Sequence, residues 1–209
     1  MQVVHFDTHA ERTERSWVLG ATTNLPMQVS ALWARPVPDA FHARYGALAR
    51  TYRYVILNRK ARPALAAGRV CWIRDALDEE RMREAAAHLV GAHDFSSFRA
   101  AECQARTPLR NLHEIVVERS GERIVLTVCA NAFLHHMVRN IAGVLIAIGS
   151  GERPTQWSAE VLAARDRTQG GVTAPPGGLY LAGIRYAAAL ELPSEPRWDA
   201  GRALGFAPG

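Results

Sequence analysis

The sequence predicts an α+β fold with a mainly antiparallel sheet, and three observations carry that prediction. Runs rich in β-branched and aromatic residues alternate with helix-patterned runs in the order strand, helix, strand, then several strands and helices, ending on a strand. Two of these runs, Asn111 to Glu118 and Arg123 to Ala130, flank Ser120-Gly121 and read as a hairpin. One long run, Asn131 to Gly149, has helical spacing and is apolar almost all the way round, so other elements must cover it on both sides. Neither a dinucleotide fingerprint, a phosphate loop, a nucleophile elbow nor a zinc signature occurs.

Taken in order, Gln2 to Thr8 is strand-like from its β-branched and aromatic content, although no turn or cap precedes it. Ala10 to Gly20 reads as a short helix carrying Trp17, Val18 and Leu19, and Val29 to Val37 as a second strand that ends at Pro36 and Pro38. Arg50 to Asn58 is a strand in which aromatic and basic residues interleave. Period-2 geometry puts Arg50, Tyr52, Tyr54 and Ile56 on one face and Thr51, Arg53, Val55 and Leu57 on the other. Tyr52 beside arginines suits either an unstacked base or ordinary packing of a half-buried sheet.

Asp78 to Val90 is an amphipathic helix with Met82, Ala85, Ala86 and Leu89 inward. After it, Arg99, Arg106 and Arg110 form a basic cluster that serves either phosphate contact or a solvated loop. Ser158 to Asp166 reads as a short helix, and Gly177 to Tyr186 enters a last strand through a Pro-Pro-Gly-Gly turn. The Pro-, Gly- and Glu-rich tail beyond Leu190 is expected to be loosely held.

Within the apolar run, Asn131 is the expected N-cap and Gly149-Ser150-Gly151 the expected stop. Phe133, Leu134, Met137, Val138, Ile141, Leu145 and Ile148 make one arc, while Arg139 falls on the far side beside Ala142, Gly143 and Ile146. Arg139 is the only formal charge between Ala132 and Ser150. Either it pairs with a carboxylate or phosphate in a covered site, or it reaches the surface from a core helix. The histidines, arginine and asparagine that interrupt too short an apolar run argue against a membrane span. His135 and His136 are adjacent and point about 100° apart on a helix, so they cannot share one metal.

With 209 residues and 48% hydrophobic content, the chain can bury a substantial core. Its 25 basic residues exceed its 20 acidic ones, and Lys60 is the only lysine, so the cationic surface is arginine and compatible with a nucleic-acid partner. Cys71, Cys103 and Cys129 are widely spaced, in no metal-ligand pattern, and fit reduced thiols. No charged-then-apolar leader follows Met1, and the expected location is the cytoplasm.

Several motifs, in order and over nearly the full length, resemble the tRNA pseudouridine synthases of the TruA type. They are Gln2-Val-Val-His-Phe-Asp-Thr8, Asn24-Leu-Pro26, Phe41-His-Ala-Arg44, Arg50-Thr-Tyr-Arg-Tyr54, Asp94-Phe-Ser-Ser-Phe-Arg99, Cys103 with Arg106-Thr-Pro108 and Arg110-Asn111, Asn131-Ala-Phe-Leu-His-His-Met-Val-Arg-Asn-Ile141, and Gly178-Leu-Tyr-Leu181. The resemblance implies the pseudouridine synthase fold, with two ferredoxin-like halves sharing a sheet, and a homodimer with a basic cleft for the tRNA anticodon arm. It implies isomerisation of uridine to pseudouridine with neither metal nor organic cofactor. An aspartate attacks the target nucleoside, the base detaches, turns and rejoins through carbon, and a proton leaves C5. By motif position Tyr52 packs against the flipped uracil and Arg139 pairs with the nucleophile. Arg44, Arg53, Arg99, Arg106 and Arg110 are the weaker candidates for RNA contact.

The division expected from this resemblance is residues 1–41 as the remainder of the N-terminal half, 42–190 as the C-terminal half, and 191–209 as tail. The family's nucleophile belongs to a Gly-Arg-Thr-Asp-Ala-Gly-Val-His motif expected immediately upstream of Gln2, and that motif is not in this sequence. The expectation is therefore a chain without the first strand and helix of its N-terminal half and with little or no activity by itself. Asp7 matches an acidic position downstream of the nucleophile and inherits no catalytic role, and His5 and His42 are expected to be structural. The alternative is a non-catalytic RNA-binding module derived from the same fold. A cysteine hydrolase using Cys129 with His135 or His136 lacks an orienting third group.

Overall fold

The computed structural model describes residues 2–193. Of the tail expected to be loose, residues 194–209 lie outside the described residues. The chain divides into two compact units, one made of the described residues up to Ala47 with those from Arg185 onward, the other of Leu48–Ile184.

The first unit contains helix α1 (Glu14–Asn24), capped by Thr13, whose hydroxyl accepts the Ser16 amide at 3.2 Å. None of its residues is buried. Gln2 to Thr8 and Val29 to Val37, which read as strands, are not strands here. A strand needs a neighbour to take its backbone groups, and neither stretch pairs with another among the described residues. Val4 and Phe6 are accordingly 75% and 61% exposed. Local order comes instead from ring contacts: Phe6 meets Trp17 at 5.2 Å, Phe41 meets Tyr186 at 5.3 Å, and the Tyr186 hydroxyl donates to the Ala43 carbonyl at 2.7 Å.

The second unit is built on a six-stranded mixed sheet. Its centre is β1 (Ala49–Asn58), which joins the short β2 (Cys71–Ile73) in parallel through Ile56 to Asn58. Helix α2 (Glu79–Ala87) follows, its start fixed by Asp78, whose carboxylate accepts the Glu80 and Arg81 amides. Next come β3 (Gly91–Asp94), β4 (Leu109–Ser120) and β5 (Arg123–Ala130). Strands β4 and β5 form the expected hairpin, with Ser120 opposite Arg123 and Gly121 at φ +57 as the first of two turn residues. Strand β5 runs antiparallel along β1 from Arg50 to Leu57, giving the order β2-β1-β5-β4-β3.

Helices α3 (Met137–Gly149) and α4 (Trp157–Ala164) precede β6 (Leu179–Arg185), which also pairs with β1. The Val55 amide donates to the Gly178 carbonyl at 2.8 Å where β6 begins. One face of the sheet carries the core. Tyr54 and Ile56 of β1, with Ile124, Leu126 and Val128 of β5, are fully buried beside Met137, Ile141, Leu145 and Ile148 of α3 and Met82 of α2. Gly149 packs on Met82, where a Cβ would lie 2.7 Å from Cγ. The expected glycine stop is thus a close-approach site inside the last turn, and Ser150 caps the helix.

The start of α3 differs most from its sequence pattern. Asn131 does not cap it; its side-chain oxygen accepts the Asn111 and Ala132 amides and closes the strand ends instead. The helix begins six residues later, after His136 turns left-handed at φ +60. Leu134 is buried without being helical. No helix among the described residues is long and apolar enough to cross a membrane.

Candidate active site

Tyr52 and Tyr54 lie two residues apart on β1 and share its core-facing side. Tyr54 is fully buried and donates its hydroxyl to the Pro175 carbonyl at 2.7 Å. Burial raises its pKa far above the usual phenol range, the Cys71 thiol adds to the rise, and the Arg139 charge opposes it. Tyr52, nearer the start of the strand, is half-buried, and its ring meets Phe133 edge to face at 5.0 Å. Burial raises its pKa too, against the pull of Arg50. Both tyrosines are neutral at pH 7, and Tyr52 is the one with surface left to offer.

Phe133 leads through the His135-His136 turn into α3, whose first turn carries Arg139. Arg139 is half-buried rather than sealed, and its partner is a backbone group: Nε donates to the Ala174 carbonyl at 2.7 Å. In return the Ala174 amide donates to the Arg139 carbonyl at 3.2 Å. Among the described residues no carboxylate forms an ion pair with Arg139. Its terminal nitrogens carry no hydrogen bond within these residues, while Nε is committed. The His135 and His136 rings stack at 4.0 Å, and burial, His135 and Arg139 lower the His136 pKa, opposed by Glu102. Among the described residues no group of three or more His, Cys, Asp or Glu could hold a metal.

The basic candidates separate. Arg53 projects from the opposite face of β1 to Tyr52 and is half-buried. Arg99 donates to the Cys103 and Ala105 carbonyls at 2.6 and 3.0 Å, and Arg110 to Thr107 and Leu109 at 2.9 and 2.5 Å. These two arginines brace their own loop. Beside them, the His135 and Ala105 amides and Arg99 outweigh burial and hold the Cys103 thiol below its usual pKa. Arg106 is exposed, and Arg44, also exposed, belongs to the first unit, where it lies over its neighbour Tyr45 at 5.7 Å. A cavity of about 1020 Å³ in that first unit, walled by Phe6, Trp17, Trp33 and Phe41, contains none of the candidate residues. Sequence reasoning missed the Ala174 carbonyl, Thr173 and Arg167. The available signals were Asn140, a polar residue expected inside beside Arg139, and the Gly170-Gly-Val-Thr-Ala-Pro-Pro-Gly-Gly178 stretch.

An α+β unit with a tyrosine strand packed beneath an arginine-bearing helix is consistent with the pseudouridine synthase fold, and a family model described as tRNA pseudouridine synthase matches residues 85–187. Curated relatives named tRNA pseudouridine synthase A extend the likeness across the chain. That of Nitrosococcus oceani is 59% identical over 192 residues, covering 92% of this chain and 74% of the relative. That of Methylococcus capsulatus is 59% identical over 185 residues, 88% and 68% of the two chains, and that of Pseudomonas aeruginosa 56% over 192, or 92% and 67%. The chain belongs to the tRNA pseudouridine synthase A family, a family of isomerases. The relatives weigh toward the synthase and away from the non-catalytic module.

Proposed function

We propose that this chain supplies the base-stacking and arginine elements of an enzyme that converts uridines of the tRNA anticodon arm to pseudouridine. The observation that carries the reading is Arg139, a half-buried cation held through Nε with its terminal nitrogens left for an anion. A carboxylate placed there stays ionised and oriented as a nucleophile. Tyr52, neutral and backed by Phe133, offers a ring face to the extruded uracil. Once the carboxylate has displaced the base, the uracil turns and rejoins through C5, and the C5 proton is lost. We assign the enzyme to the cytoplasm and to a homodimer, in keeping with a tRNA substrate.

The test is release of tritium from tRNA labelled at uridine C5. These 209 residues, which hold no Gly-Arg-Thr-Asp stretch, are expected to act at background. The same residues joined to a segment bearing that motif are expected to turn over, and Arg139→Ala in that form to lose about a thousandfold. Enzymatic release from the 209 residues alone, or full activity without Arg139, would defeat the assignment.

A further inference from the structure

Residues 171–175 run past the Arg139 side chain and are hydrogen-bonded on both sides of the residue that meets it, Ala174. Asn140, the next residue of α3, is 2% exposed. Its amide nitrogen donates to the Phe98 carbonyl at 2.8 Å. Its oxygen accepts from the Thr173 hydroxyl at 2.7 Å and from Arg167 Nη2 at 3.2 Å. Those partners fix which way the amide points. Arg167 Nη2 also donates to Thr173 Oγ1 at 2.9 Å and to the Gly171 carbonyl at 3.0 Å. On the far side, the Tyr54 hydroxyl holds the Pro175 carbonyl. Between the two fastenings sit Ala174, 4% exposed, and its carbonyl on Arg139 Nε. The strap can lie this close because position 143 of α3 is glycine; a Cβ there would collide with the Val172 carbonyl.

A lone arginine side chain has four rotatable bonds and surrenders considerable rotamer freedom when it is fixed. If it must meet a carboxylate in one geometry, orienting it beforehand removes that cost from the reactive complex. A carbonyl on Nε does this without neutralising the charge, because it engages the one guanidinium nitrogen that faces back along the chain. The Ala174 carbonyl can only serve if the strap is itself immobile. A buried asparagine whose side-chain oxygen and nitrogen are both hydrogen-bonded provides that.

We propose that residues 171–175 are a positioning strap for Arg139, and that Asn140, Thr173, Arg167 and Tyr54 are positioning residues that aim its guanidinium through the Ala174 carbonyl. This rests on the assignment of Arg139 as the nucleophile's partner. None of the four touches the reacting atoms in this scheme; each acts through the arginine. The strap predicts that Arg139 is ordered before any RNA arrives.

The direct readout is the Arg139 Nε–Hε resonance in the 209-residue chain, identified by its loss in Arg139→Lys. In the wild-type chain this proton is expected to exchange slowly with solvent. Thr173→Val, nearly isosteric and lacking the hydroxyl, should speed its exchange about tenfold, and Thr173→Ser should restore it. Arg167→Met, at a half-buried position, is read in the same way and serves if Thr173→Val lowers the folded fraction. Unchanged exchange in a folded Thr173→Val or Arg167→Met chain overturns the strap, as does fast exchange in the wild type. In the motif-joined form, the same two variants should lower kcat while leaving the Kd for anticodon-arm RNA unchanged. The arms separate two failures: full turnover in Arg139→Lys and Arg139→Ala would defeat the catalytic assignment, whereas the exchange measurement bears on the strap alone.

Discussion

The two ends of α3 do different work on one continuous helix. From Ile141 to Ile148 most side chains are apolar and buried, packed on β1, β5 and α2. At the other end His136 sits at φ +60, Arg139 is half-buried, and Asn140 holds the side chains of Arg167 and Thr173, 27 and 33 residues away in sequence. The apolar end is held by area removed from water, which tolerates small displacements. The polar end depends on directed bonds, each of which specifies an angle as well as a distance. One helix can therefore be a rigid base and an aimed device at once, and the two properties should come apart under mutation.

Leu145→Ala, at a fully buried position in the apolar end, should cost about 3 kcal/mol of unfolding free energy. Denaturant titration measures the loss, and slow exchange of the Arg139 Hε should survive it. If that proton loosened as well, the division between the two ends would not hold. Gly143→Ala sits at the boundary and should affect both properties. The added methyl meets the Val172 carbonyl, so about 2 kcal/mol is expected from overpacking together with faster Arg139 Hε exchange.

The smallest effect is electrostatic and belongs to the polar end. Burial, followed by the charges of His135 and Arg139, lowers the His136 pKa. An imidazole depressed on folding takes up its proton more readily in the unfolded chain. Stability is therefore lost as pH falls below about 6.5, and the loss is complete once pH passes the depressed folded value. His136→Asn keeps a residue that tolerates φ +60 and should flatten the stability profile on the acid side of about pH 6.5. An unchanged slope would mean that other groups govern it.

Much of the second unit was legible because local chemistry and tertiary packing agree there. Asp78 starts α2 as its side chain requires, Gly121 turns the β4-β5 hairpin, and alternation puts Tyr52 and Tyr54 on one face of β1. The short strands β2 and β3 escaped notice because three or four residues carry no readable period. In the first unit, Gln2 to Thr8 has as strong a strand composition as β1, yet β1 pairs with three neighbours and Gln2 to Thr8 with none among the described residues. Composition states a preference that only a partner strand can realise. The helix start was misplaced for a related reason: Asn131 can cap a helix or close strand ends, and its distance from Asn111 in space decided between them.

The sequence by itself determined that α3 must be covered on both sides and that one cation, Arg139, lies along it, because periodicity and charge are properties of the residues in order. Only the tertiary structure decided what meets that cation. Its partner is the Ala174 carbonyl, and a carbonyl occurs at every position of every chain, so no residue type marks the one that folding brings within 2.7 Å.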